Sequence, residues 1–371
     1  MQKNLPPVWW KEVGGVMSES ALKNRKERLT CFDLIRVFSC ICVLLVHFNA
    51  TVSGYNAGVF IYPNSIFTNY LFGGRYYVGD IGVSLFFMLS GASLMYTWRQ
   101  ERITKFYIRR FRSIYPMFWI AWFVATAVDF LSYKGLNSGD IRYMLFSVLG
   151  LDGYLCSQGL IPFDFYKLGE WFLGCIIILY LIYPLIRKAV DTFPLPVMII
   201  AIGLYTACVR MTSEIGSWHF FLRIPEMMMG ILFVKYRVWE RRRLLLGIGI
   251  VSPVAGCVCR DFIHPLTLCI SLCIGLFAWM ALLARVVRSA VVKQYLKKLA
   301  DLTYPAFLVH HWLIQKMYIG FPEGILPRRS VWMLFVVYLG LTVVLSEMLS
   351  VGAGKMLHYF DGLRRSSKTK V

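Results

Sequence analysis

Apolar stretches of about twenty residues recur along the whole of this chain, and no other feature constrains its fold as tightly. Ten are legible: 31–52, 77–97, 114–133, 168–187, 194–211, 217–235, 244–260, 265–284, 299–319 and 330–352. Inside a bilayer the backbone of such a run has to satisfy its own hydrogen bonds, which an α-helix does. The expected fold is therefore all-α, a polytopic bundle of about ten transmembrane helices. With 58% hydrophobic and 16% charged residues, the chain is far too apolar for a soluble domain of 371 residues. Residues 1–30 read as a cytoplasmic N-terminal segment, 31–352 as one membrane domain and 353–371 as a basic cytoplasmic tail. Met1 to Thr30 has neither an apolar core nor a small-residue cleavage site, so it does not read as a cleavable signal.

A formal charge of +20 would suit nucleic acid, but its distribution argues for topology instead. With the N-terminus in the cytoplasm and ten spans, 29 lysines and arginines fall on the cytoplasmic side and 8 outside. Three more, Arg36, Arg223 and Lys316, fall within spans. This asymmetry predicts both termini inside. It places the protein in a cytoplasmic membrane, a bacterial one by expectation, with the lipid bilayer and not nucleic acid as its surroundings.

Ionisable groups within spans are costly and mark candidate sites. In the first span Arg36 and His47 are eleven residues apart, which puts them within about 20° of each other on a helix. Asp33 lies close to the same stripe, and the residues between Asp33 and His47 are otherwise apolar or small. Arg36 can also be read as snorkelling to the interface, His47 as a bond to a neighbouring helix and Asp33 as a partner of the helix dipole. Span two carries Phe86-Phe-Met-Leu-Ser90-Gly91, whose small residues also suit close helix packing. Arg109-Arg110-Phe-Arg112 precedes Pro116 at the entry to span three. That trio satisfies the positive-inside rule, and it also offers planar forks for phosphate oxygens. Arg223 and Glu226 are placed to pair on one face of span six. Span nine carries Tyr304 and the adjacent His310 and His311, about 100° apart on a helix and poorly disposed to chelate one metal. Glu170-Trp171 opens span four, where an interfacial aromatic belt would also account for it. The ten cysteines read as buried small hydrophobes, and Cys257 with Cys259 lacks CxxC spacing. No metal site is expected.

Taken in order, these motifs resemble the acyltransferase 3 family of integral membrane acyltransferases. The likeness rests on Arg36-x10-His47, on Phe86-Phe87-x-Leu-Ser90-Gly91, and on Arg109-Arg110-x-Arg112-x-x-x-Pro116. It continues through Trp171-x-Leu with Tyr180-x-x-x-Pro184, Arg223-x-x-Glu226-x-x-x-Gly230 and Tyr304-x-x-x-Leu-x-His310. The resemblance implies about ten helices and an acyl-CoA donor, usually acetyl-CoA, entering from the cytoplasm, with no permanently bound cofactor. It also implies an acceptor hydroxyl, commonly on a sugar of a surface polysaccharide or its lipid-linked precursor; some relatives transfer succinyl groups. On that reading His47 is the general base or acyl carrier, with Arg36 and Asp33 beside it. Arg36, Ser90, Arg109, Arg110 and Arg112 would hold the donor, and Arg223, Glu226, Tyr304 and His310 are further site candidates. Glu226 is placed either to orient His47 or to pair with Arg223.

Two departures stand out. Many members carry a glutamate a few residues after the tryptophan of span four, and here Trp171-Phe-Leu-Gly-Cys-Ile-Ile-Ile has none. No fused extracytoplasmic domain is expected after span ten, so the acyl group would be delivered directly or handed to a separate extracytoplasmic partner. A transporter or flippase for a lipid-linked sugar or small solute is the alternative the buried charges also allow.

Overall fold

The structure, a computed structural model, describes residues 27–52, 66, 69–71, 76–99, 102–133, 141–165, 168–211, 218–318 and 327–368. Most of the expected N-terminal segment lies outside the described residues. Each of the ten apolar runs is a helix: α1 Thr30–Val52, α2 Val78–Thr97, α3 Ile103–Tyr133, α4 Glu170–Thr192 and α5 Pro194–Arg210, then α6 Phe220–Lys235, α7 Arg242–Val258, α8 Pro265–Val286, α9 Ala290–Tyr318 and α10 Arg328–Lys368. Six of them (α1, α2, α3, α4, α8 and α10) are long and apolar enough to cross a membrane. The others are shorter, as α5 is, or begin among charges, as α9 does with Lys293, Lys297, Lys298 and Asp301. The 353–371 tail is no separate element as far as Lys368, because α10 runs on through it.

Proline falls inside α3 (Pro116), α4 (Pro184), α6 (Pro225), α7 (Pro253) and α9 (Pro305). A proline removes one backbone donor and frees the carbonyl four residues before it. In a bilayer such a carbonyl is tolerated where a polar space or a neighbouring group receives it. Outward faces are apolar: Leu131, Leu185, Ile199, Val251 and Val336 are all well exposed. A soluble fold would not present so much aliphatic surface.

A two-residue ribbon joins α1 to α2, with β1 (Tyr70–Leu71) antiparallel to β2 (Tyr76–Tyr77) and Tyr70 opposite Tyr77. Asn49 anchors this connection from within α1. Its amide donates to Asn69 Oδ1 at 3.0 Å, and its carbonyl oxygen accepts from Ile66 N at 3.2 Å.

Three buried clusters hold the bundle. One gathers Phe87, Phe118, Leu173, Leu179, Tyr183 and Met228 from α2, α3, α4 and α6. A second joins α1 and α2 to α6, α7 and α8 through Ile35, Leu85, Phe233, Leu245 and Cys273. The third packs Phe48 of α1 on Ile314 of α9 and Tyr338 of α10. Seven of the ten cysteines are buried, whereas Cys257 and Cys259 are exposed at the end of α7.

The closest approach is between α2 and α6. A Cβ on Gly91 would lie 2.0 Å from the Met227 carbonyl oxygen, and one on Gly230 would lie 1.8 Å from that of Met88. The glycines of two separate sequence motifs thus meet at one crossing, where only the absence of a side chain lets the backbones touch.

Candidate active site

Helices α1 and α9 run side by side in the same direction: Cys40 Sγ approaches the Thr303 carbonyl at 3.9 Å, and one further pair of turns brings His47 against His310. The His47 ring lies 5.0 Å from that of His310 and 4.6 Å from that of His311, centroid to centroid. Glu170, the first residue of α4, completes the cluster. Its Oε1 is 3.5 Å from His47 Nδ1 and forms a short contact with His311 Nδ1. The glutamate missing after Trp171 is thus matched by a carboxylate just before it.

Glu170 is held from its backbone. It has a left-handed φ of 45°, which a side-chain-bearing residue adopts only when its surroundings enforce it. The enforcing element is the short helix Asp152–Ser157. A Cβ on its Gly153 would stand 2.7 Å from the Glu170 carbonyl carbon. Any larger residue there would push Glu170 away.

The hydrogen bonds fix proton positions. Gln315 Nε2 donates to His311 Nε2 at 3.0 Å, so His311 carries its proton on Nδ1 and donates it to Glu170. His310 Nδ1 donates to the Phe307 carbonyl at 2.8 Å, which leaves its Nε2 lone pair bare, buried and without a hydrogen-bond partner among the described residues. His47 Nδ1 stands 3.5 Å from Glu170 Oε1 and makes no hydrogen bond among the described residues, so a proton carried on that nitrogen would face the carboxylate and leave Nε2 as the basic one. His47, Glu170 and His310 each offer one metal-ligand atom, all within 4.8 Å of one another. Ligands around zinc at about 2.1 Å stand roughly 3.4 Å apart, so this trio would have to contract to hold it.

Behind the cluster lies a closed ion pair. Arg223 bonds Glu226 at 2.9 Å, and both side chains are buried. Ser84 Oγ donates to the same carboxylate oxygen at 2.7 Å. The guanidinium sits over the rings of Phe87 and Trp171, at 5.6 and 5.4 Å. Of the two roles open to Glu226, the structure shows the pair with Arg223.

At the other end of α1 two cavities share a wall. The outer one, about 350 Å³, is lined by Arg28, Asp33, Arg36, Ser93, Tyr96 and Arg99 among others. The inner one, about 340 Å³, lies between α1, α2, α3, α4 and α9. Arg36 and Ser93 belong to both. The inner chamber gathers Arg36, Ser90, Arg110 and Tyr304, which come from four different motifs. Tyr304 braces the wall by donating to the Ile114 carbonyl at 3.0 Å.

The arginine trio separates. Arg110 lines the chamber, and its Nε has no hydrogen-bond partner among the described residues. Arg112 makes a two-pronged bond to Asp361 of α10, both arms at 2.7 Å. Arg109 lies on neither cavity wall. Asp33 is fully engaged: Arg28 grips it at 2.7 Å and Arg36 approaches at 3.4 Å. Arg28 also reaches Asp301 of α9 at 2.8 Å.

His311 was singled out only as the neighbour of His310, and Gln315 and Gly153 carried no motif signal at all. The polar stripe His311–Gln315, one helical turn apart in an apolar helix, was the available clue.

Apolar helices, a buried histidine cluster and a polar chamber opening beside the charged ends describe a multi-pass membrane protein with an internal site. A family model described as an acyltransferase domain matches residues 29–351. The chain belongs to that family, acyltransferase 3. It is similar to the acyltransferase MdmB of Streptomyces mycarofaciens, with 31% identity over 120 residues. That match takes in 32% of this chain and 30% of the relative's length. No solved structure matches the chain.

Proposed function

We propose that the protein is a membrane O-acyltransferase. It moves an acyl group, most simply acetyl, from a cytoplasmic acyl-CoA to a sugar hydroxyl of a surface polysaccharide or its lipid-linked precursor. The Arg28 end of the bundle is cytoplasmic on this reading, as the charge distribution favours. One observation carries it: a cation-lined chamber reaches Phe307, whose ring adjoins His310 and through it His47, which faces the Glu170 carboxylate.

The chemistry follows from those groups. Arg36 and Arg110 bind the donor's phosphates and pantetheine oxygens, with Ser90 and Ser93 offering hydroxyls. His47 Nε2 accepts the acceptor's hydroxyl proton as the alcohol oxygen attacks the thioester carbonyl. Glu170 holds Nδ1–H and stabilises the imidazolium, as a carboxylate does in a catalytic triad. The C–S bond then breaks, and the imidazolium proton goes to the departing CoA thiolate. An imidazole suits both transfers because it gains and loses a proton near neutral pH. Direct delivery is the simplest route, and a separate extracytoplasmic partner is the other.

The test is thiol release from acetyl-CoA by the purified protein with lipid-linked sugar acceptors, against His47→Ala. Equal release from both proteins would remove His47 from the reaction, and none from either while the protein carries solute across vesicles would discard the enzyme in favour of a transporter.

A further inference from the structure

The chamber is polar at one end and aromatic at the other. Arg36, Ser90, Arg110 and Asp301 stand toward the shared wall, whereas Phe86, Phe172 and Phe307 line the same space from α2, α4 and α9. The rings pack on one another: Phe172 is 5.1 Å from Phe307, edge to face, and 5.9 Å from Phe86. The histidine cluster adjoins these rings through Phe307. Phe307 accepts the His310 Nδ1 hydrogen bond through its carbonyl, and its ring lies 5.9 Å from that of His310. Phe172 joins this wall by packing on Phe307. Phe307, with Phe172 and Phe86 packed against it, is thus the part of the chamber wall that adjoins the histidine cluster.

We propose that Phe172 and Phe307 are specificity-determining residues that set the length of the acyl group. This rests on the acyltransferase reading. With the phosphates held at Arg36 and Arg110, the thioester lies at the apolar end, and its carbonyl has to stand at the ring layer to be within reach of His47. An acetyl group ends at that layer. Each further methylene has to enter space the two rings fill, and closely packed interiors yield little for an added methylene. Rejection of one surplus methylene is worth about 10- to 200-fold in a fitted pocket.

The experiment measures binding of S-ethyl-, S-propyl-, S-butyl- and S-hexyl-CoA, which cannot be turned over, to the purified protein. The wild type is compared with Phe172→Ala and Phe307→Ala, and with Phe172→Leu and Phe307→Leu in case the larger truncations fail to fold. The wild type should lose about tenfold or more in affinity from ethyl to butyl. The variants should flatten that loss, S-butyl-CoA gaining relative to S-ethyl-CoA whatever the affinity for S-ethyl-CoA itself. Chain-length dependence identical in all folded proteins would overturn the assignment but leave the enzyme standing. Flattening without any turnover of acetyl-CoA would keep the role of the rings and remove the acyltransferase reading. Absence of binding by every CoA derivative would remove both.

Discussion

Glu170 and His47 face each other at 3.5 Å across the junction of α4 and α1, and their partners are arranged so that the carboxylate is the acceptor. Gln315 sets the His311 tautomer, His311 donates to Glu170, and His310 is turned away to a helix carbonyl. Of the three histidines, His47 alone faces a carboxylate through a nitrogen that makes no hydrogen bond among the described residues.

The dyad predicts a graded loss. His47→Ala should insert and fold while transfer falls by about 10²–10⁴-fold, the usual contribution of a positioned acid–base group. Glu170→Gln keeps the shape but removes the charge, so kcat should fall substantially with the donor KM little changed. Acceptor acylation in membranes, at matched expression, measures both. Near-wild-type turnover of His47→Ala would end its assignment.

Gln315→Leu removes the donor that fixes His311. A single net hydrogen bond of about 1 kcal/mol predicts a roughly three- to tenfold drop in kcat. Gln315→Asn, which keeps an amide donor, should restore part of it. Identical rates for Leu and wild type would show that the tautomer does not matter.

Lysine replacements separate the arginines. Arg110→Lys should raise the apparent KM for acetyl-CoA about tenfold, since a point charge replaces a planar fork. Arg112→Lys should leave that KM unchanged and only loosen the partly exposed link to Asp361, worth about 0–1 kcal/mol. Donor titration at saturating acceptor distinguishes them; equal effects would mean that the chamber does not select between the two.

Gly153→Ala tests the backbone brace. Its methyl would meet the Glu170 main chain at 2.7 Å, so Glu170 has to move. A misplacement of about 1 Å can cost on the order of 10²-fold in rate. The expected result is low kcat in a protein that still binds S-ethyl-CoA; full activity would show that Glu170 tolerates displacement.

Topology is checked by reporters. Fusions within 141–165 should read as extracytoplasmic and those within 236–241 as cytoplasmic, following the 29-to-8 charge split. A cytoplasmic signal from 141–165 would reverse the proposed orientation.

Helices were legible because their signal is local: each apolar run declares itself without reference to its neighbours. Arg36, Ser90, Arg110 and Tyr304 were legible as separate motifs, though nothing in the spacing of residues on four helices says that they meet. Glu170 illustrates the limit. It looked like a helix start beside an interfacial tryptophan, and its role depends on a left-handed backbone angle enforced by Gly153 from another element. Arg112 shows the reverse, since its partner Asp361 lies on the last helix and no local pattern links the two.

The crossing at Gly91 and Gly230 has a mechanical consequence. Two helices in backbone contact cannot slide or tilt without collision, so α2 and α6 form a stiff plate carrying Ser90 on one edge and the Arg223–Glu226 pair inside it. Any adjustment of the chamber wall is then left to α4 and α9, which carry Phe172 and Phe307 and each contain a proline, Pro184 and Pro305. A crosslink between α2 and α6 would leave turnover intact, whereas one tying α4 to α9 would arrest it.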